Sequence, residues 1–216
     1  MINRKNLMRR AGLGAAVTVA MGLCATGTAD AGTFVALPGG ELSKTLADGT
    51  VVTIELAGES VDIEPFMGLL PLPRNAAVSG RVRVELSGPP EGKAGSIFPG
   101  YTVGCEADVS GGGAGDLDAA APRTGAVTDG TLVLGPGQVQ SFYVRDLEQA
   151  GDLGTEVYTA RNQFEGSTGS VSWTNENIAL YGCSGPAQAR AFVSLSVETD
   201  QLVTWITLWG QPFSLG

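Results

Sequence analysis

The sequence predicts an all-β fold built as a sandwich or barrel, and three observations carry that prediction. Thirty-two glycines and eleven prolines punctuate the 216 residues every few positions. No segment after Gly32 sustains a long apolar stripe at i, i+3, i+4 spacing. Between the turn signals lie short β-type runs at regular intervals, the pattern of a sandwich or barrel.

Arg4, Lys5, Arg9 and Arg10 give the chain a positive start, residues 11–25 are mostly small and apolar, and Ala29-Asp30-Ala31 fits the small-x-small cleavage rule. Residues 1–31 therefore read as a signal peptide that is removed, the run being short of the ~20 apolar residues of a membrane anchor. Residues 32–216 form one domain. Leu42–Leu46 and Thr50–Leu56 flank Asp48-Gly49 and read as a tight hairpin. In Val78–Leu86, the residues Val82, Val84 and Leu86 share an apolar face, with Arg81, Arg83 and Glu85 on the wet one. Val139–Arg145 and Ser170–Thr174 are further strands. Ala189–Glu198 and Leu202–Leu208 are the two strongest, with Asp200 and Gln201 in the turn between them.

The stretch 100–140 stands apart. Tyr101, Val103, Cys105, Ala107 and Val109 alternate with Thr102, Glu106, Asp108 and Ser110. The same parity, carried through the glycines, adds Asp116 and Asp118 to the polar face and Leu117 to the apolar one. Such a ribbon is apolar outside and acidic inside, and 105–138 reads as a projecting hairpin. A flexible surface loop over 110–121 is the competing reading of the same glycines.

Loss of the leader removes four basic residues and one acidic one, taking the net charge from −9 to −12. Nucleic-acid binding, which rests on basic patches, is excluded as a partner class, and cations are attracted. The chain contains no histidine, so the usual acid–base switch and the commonest metal ligand are missing. Neither a Ser-His-Asp nor a Cys-His arrangement can form. Asp116 and Asp118 alone are weak grounds for a carboxylate pair or a calcium loop. The chain thus reads as a non-enzyme without catalytic residues, cofactor or metal site. Cys24 leaves with the leader, and the remaining pair, Cys105 and Cys183, reads as a disulfide in an exported protein.

A function that remains is electrostatic and geometric. Glu106, Asp108, Asp116 and Asp118, repeated around a ring, become circles of carboxylates that favour cations in a pore. One hairpin cannot cross a membrane, because its edges leave backbone groups unpaired in hydrocarbon. An aqueous lumen calls for a barrel of ~16 strands, hence about eight copies at two strands each.

Several strings, in order along the chain, then carry a resemblance. They are Asp48-Gly49 with the β run that follows, and Pro71-Leu72-Pro73-Arg74-Asn75 with Ser79-Gly80-Arg81. Next come Gly100-Tyr101-Thr102-Val103-Gly104, and Gly135-Pro136-Gly137 with Gln138 and Gln140. Last are Ala189-Arg190-Ala191-Phe192, Asp200 and Gly210-Gln211-Pro212-Phe213. In these the chain resembles the MspA-like porins of the mycolic-acid outer membrane, more closely those of Nocardia-type actinobacteria. The resemblance implies a β-sandwich rim domain with a projecting β-hairpin that joins an oligomeric transmembrane β-barrel. The partners implied are copies of the chain or a paralogous subunit, outer-membrane lipid, and the small hydrophilic solutes and cations that diffuse through. It matches Asp116 and Asp118 to the aspartates of the constriction, although here one residue separates them. A secreted or envelope-associated soluble β-sandwich that binds a partner is the alternative.

Overall fold

A computed structural model of the chain describes residues 32–64, 73–89, 92–110, 131–144, 147–150, 156–159 and 162–216. Every regular element among them is a strand. The leader at 1–31 lies outside the described residues.

β1 (Thr33–Ala36), β2 (Gly40–Thr45), β3 (Val51–Ile63) and β4 (Arg74–Ser87) open the first sheet, and β6 (Thr131–Val133) and β11 (Thr168–Tyr181) complete it. Its order is β1-β3-β4-β11-β6, with β2 also on β3. The expected hairpin around Asp48-Gly49 is present, Thr45 facing Val51 across an antiparallel ladder. Asp48 closes its turn by accepting a hydrogen bond from the Thr50 N–H at 2.9 Å. Its other oxygen takes the Thr199 hydroxyl at 2.8 Å, which ties this turn to the one at 199–202. Burial alternates along β4, so that Val82, Val84 and Leu86 are buried while Arg81, Arg83 and Glu85 are exposed.

β5 (Ala94–Cys105), β7 (Val139–Tyr143), β10 (Asn162–Glu165), β12 (Ala187–Glu198) and β13 (Val203–Ser214) form the second sheet, in the order β10-β5-β12-β13 with β7 also on β5. β12 and β13 are the hairpin expected at the end of the chain. β8 (Leu147–Ala150) pairs with β9 (Glu156–Thr159) in a separate two-stranded ladder.

The two long sheets face each other as a sandwich. Ile54, Val61, Val82 and Ile178 from the first meet Ile97, Val103, Leu195 and Ile206 from the second in one apolar cluster. Burial of such side chains, worth ~25 cal/mol per Å² of apolar surface, is what holds the sheets together. Tyr101 is at its centre, fully buried, with Trp173, Phe142 and Phe213 rings at 6.4, 6.2 and 6.1 Å between centroids. Its hydroxyl is not stranded, because the Trp173 indole N–H donates to it at 3.3 Å. The outer face of the second sheet carries a smaller aromatic group, Phe98, Tyr143 and Phe192 flanked by Trp205 and Trp209. The outer face of the first sheet is polar along its middle strands, where Glu55, Arg81, Arg83 and Glu85 are exposed.

Two irregularities break the simple alternation. In β3 the register shifts between Ala57 and Ser60, with Gly58 at φ 62°. That conformation suits glycine, and the resulting bulge re-aims its neighbour. The neighbour is Glu59, which is 2% exposed. In β11 the register shifts between Trp173 and Glu176, where Asn175 takes φ 54°.

The foot of the 111–130 segment

The segment 111–130, with Asp116 and Asp118, lies outside the described residues, and its two flanks are built into the sandwich. On the entering side, β5 ends at Cys105. Glu106 then takes φ 49°, a left-handed backbone that turns the chain out of the strand. The alternation read from Tyr101 to Val109 as one ribbon is therefore corrected. Tyr101, Val103 and Cys105 face the sandwich core and are fully buried, not lipid-facing. Thr102, on the opposite side, is 2% exposed and shares a 2.7 Å hydrogen bond with Ser141 of β7. After the turn, Glu106 and Asp108 are exposed at the foot, and Val109 is buried. Asp108 accepts the Ser110 N–H at 2.8 Å and so closes a short Asx turn.

On the returning side, Thr131, Leu132 and Val133 pair in parallel with Ala179, Leu180 and Tyr181. Leu132 and Leu134 enter the core. The described residues on this side thus belong to a strand of the sandwich. The chain then closes the foot. Cys105 donates its N–H to Gln138 O at 2.9 Å and accepts the Gly137 N–H at 2.8 Å. Glu106 donates its N–H to Pro186 O at 2.8 Å.

Two further devices brace this base. The disulfide expected from compartment and count is formed, Cys105 to Cys183 with the Cα atoms 5.6 Å apart. It joins the end of β5 in one sheet to the residues after β11 in the other. The second device is Arg190 on β12, which the sequence did not single out as functional. Its Nε donates to Gly210 O and its Nη1 to Ser110 O, both at 2.7 Å. Its guanidinium also lies over the Trp209 ring, 5.1 Å from the centroid. The guanidinium thus holds the last described residue before 111–130 against the β12–β13 hairpin. The register shift of that hairpin between Arg190 and Phe192 coincides with this clamp. Nothing in local composition marks such a role, since both acceptors are backbone carbonyls. Arg190→Ala is expected to lower the stability of the chain by about 1–3 kcal/mol, the usual worth of charge-assisted bonds. Arg190→Lys should recover part of the loss, and urea titration of both variants checks it.

Glu59 is the other residue that sequence reading missed. Its two carboxyl oxygens find no hydrogen-bond partner among the described residues. Gly210 gives it room, since a Cβ there would sit 3.0 Å from Oε2. Burial alone pushes its carboxyl up to about 7. The Tyr101 phenol is raised as well, first by burial and then by the charge on Glu59. The available signal was Gly58, a lone glycine inside a strand pattern, which marks a bulge.

Among the described residues no group of His, Cys, Asp or Glu could hold a metal ion. No described helix is long and apolar enough to cross a membrane, which leaves a crossing by strands untouched. What the fold does offer is a braced base from which one segment leaves and returns. Comparison with protein families matches the MspA family over residues 48–214, most of the chain and both sheets. No curated protein matches it. The MspA family is one of outer-membrane porins, oligomeric channels rather than enzymes. By that match and by its all-β sandwich, the chain belongs to the MspA family of porins.

Proposed function

We propose that the mature chain, starting at Gly32 after export, is one subunit of a ring of about eight in the mycolic-acid outer membrane. Each subunit, a copy of this chain or a close paralogue, lends 111–130 as a hairpin to a common barrel. The ring passes small hydrophilic solutes by diffusion and favours cations.

The observation that carries this reading is the braced foot. Cys105 is bonded to residues 137 and 138 across the base, to Cys183 by a disulfide, and Arg190 pins Ser110. A sandwich needs no such bracing around a surface loop of small residues. A hairpin that must project at a fixed angle does. The segment 111–130 is 20 residues long. Two arms of about ten residues, at ~3.3 Å per residue, reach ~30 Å. That matches the ~9–11 residues of a tilted membrane-crossing strand. The hairpin expected over 105–138 is thus shortened at its base, its outermost residues serving as the socket. Closure among copies supplies the hydrogen bonds that a lone hairpin lacks. Asp116 and Asp118 then form the constriction as rings of carboxylates, with Glu106 and Asp108 adding negative charge at the mouth.

Reversal potentials across a planar bilayer under a salt gradient test the constriction. Asp116→Asn with Asp118→Asn should keep stepwise channels while cutting cation preference severalfold. Unchanged preference would remove the two aspartates from the narrow point.

A further inference from the structure

Two bulges face each other across the sandwich, and a buried carboxyl lies between them. In β3 the register shift between Ala57 and Ser60 carries Glu59, which is buried. In the last hairpin Arg190 faces Pro212 and Phe192 faces Trp209, so Gly210 and Gln211 together stand opposite the single Ala191. A Cβ on Gly210 would lie 3.0 Å from Glu59 Oε2, 3.2 Å from Ala191 Cβ and 3.3 Å from Leu56 Cδ2. The carboxyl therefore packs on the bare backbone of Gly210, and neither of its oxygens has a hydrogen-bond partner among the described residues.

That same Gly210 anchors the clamp on the other face of the sheet. Its carbonyl accepts Arg190 Nε, and Arg190 Nη1 holds the carbonyl of Ser110, the last described residue before 111–130. The backbone of one residue thus separates the Glu59 carboxyl inside the sandwich from the guanidinium outside it. The first sheet is least constrained at this level. β1 pairs with Ser60–Ile63 and β2 with Val51–Leu56. Between these ladders the bulge is tied to that edge by the Leu37 N–H, which Glu59 O accepts at 2.9 Å.

Burial without a partner costs a neutral carboxyl little and a carboxylate much. We propose that Glu59 is a proton-operated latch on the foot of the 111–130 segment. Protonated, it packs on Gly210 and leaves the Arg190 clamp closed; ionised, it moves toward water, displaces Gly210 and releases Ser110. The state that holds the proton more tightly is favoured as pH falls, so raising the pH shifts the population to the released form. Burial puts the change at about pH 7. The groups around the carboxyl leave it unopposed. From β5 the titratable neighbour is Tyr101, whose hydroxyl Trp173 engages. From β12 it meets Ala191, and neither β1 nor β13 has a titratable side chain. In its own sheet Glu55, Asp62, Arg81, Arg83 and Glu85 are exposed, and Arg74 reaches Gly216 O instead.

The latch needs only the sandwich, while its effect on current rests on the porin reading. Urea titrations of the mature chain with Arg190→Ala, in the wild-type and Glu59→Gln backgrounds at pH 5.5 and 8.5, test it. In the wild-type background Arg190→Ala should raise the unfolding constant on the order of tenfold at pH 5.5, the effect of ~1.4 kcal/mol, and by less than about threefold at pH 8.5, where the clamp is already open. In the Glu59→Gln background the larger cost should stand at both pH values. Arg190→Lys should give a smaller loss with the same pattern, and it replaces Arg190→Ala if that variant does not fold. Equal costs at the two pH values in the wild-type background overturn the latch, as does a cost that falls with pH in the Glu59→Gln background. In planar bilayers, insertion of wild-type channels should fall severalfold from pH 5.5 to 8.5, with Glu59→Gln unchanged. Channels over a pH-independent clamp overturn the latch and leave the porin reading standing. A pH-dependent clamp in protein that never conducts supports the latch and overturns the porin reading.

Discussion

Replacing Cys105 and Cys183 together by alanine should lower the stability of the mature chain by about 4 kcal/mol, the chain-entropy value for a loop of this length. The two cysteines are 78 residues apart in sequence, so the cross-link removes much freedom from the unfolded chain. The native side loses a bridge between the two sheets, because Cys105 ends β5 and Cys183 follows β11. Alanine is the informative replacement: Cys105 is fully buried, and a serine hydroxyl there would add the cost of an unsatisfied polar group. The measurement is a pair of urea titrations, wild type against variant, under non-reducing conditions. A loss below ~1 kcal/mol would mean that the bond restrains neither state in the way its loop length implies.

Glu59→Gln should make the chain more stable at neutral pH and flatten its pH dependence. Burial raises the Glu59 carboxyl to about 7 in the folded protein, against ~4.3 for a free glutamate. Below the lower value both states hold the proton and nothing is lost. Between the two values the unfolded chain ionises while the folded one stays protonated, so stability falls as pH rises. Above about 7 the loss is complete and constant. The size follows from ~1.4 kcal/mol per pH unit over that gap, giving about 4 kcal/mol. The groups packed around the carboxyl explain why nothing offsets it. Beside Gly210 the carboxyl shares its space with the apolar Ala191 Cβ and Leu56 Cδ2, and the titratable neighbour Tyr101 has its hydroxyl already engaged by Trp173. Denaturation between pH 4.5 and 8.5 should show wild type losing stability relative to the variant across that window. Parallel curves would mean that Glu59 is solvated or paired in the folded state.

The sequence's legibility followed its local physics. The Asp48-Gly49 hairpin was readable because an Asx-closed turn and two alternating flanks are short-range signals. Val82, Val84 and Leu86 were readable because period-two burial of a half-wet strand leaves its mark on every residue. The disulfide was readable from compartment and count alone. What failed was parity across a backbone reversal. Glu106 at φ 49° ends the strand without a glycine to announce it, so the alternation continued on paper where the chain had already turned. Gly58 did announce its bulge, yet the consequence, Glu59 aimed between the sheets, depends on Gly210 some 150 residues later. The clamp by Arg190 and the parallel pairing of β6 are likewise long-range, made with backbone groups that every residue possesses. The acidic cluster split along the same line. Glu106 and Asp108 stand exposed at the foot, and Asp116 and Asp118 lie outside the described residues.

The central claim is that copies of this chain close into a water-filled tube. Its most direct measurement is the current through a planar lipid bilayer after addition of the purified, detergent-extracted wild-type protein. Discrete upward steps of uniform size are expected, each one ring inserting, from material that runs as a large species before boiling. A bilayer that stays silent over protein that runs as a single subunit would contradict it.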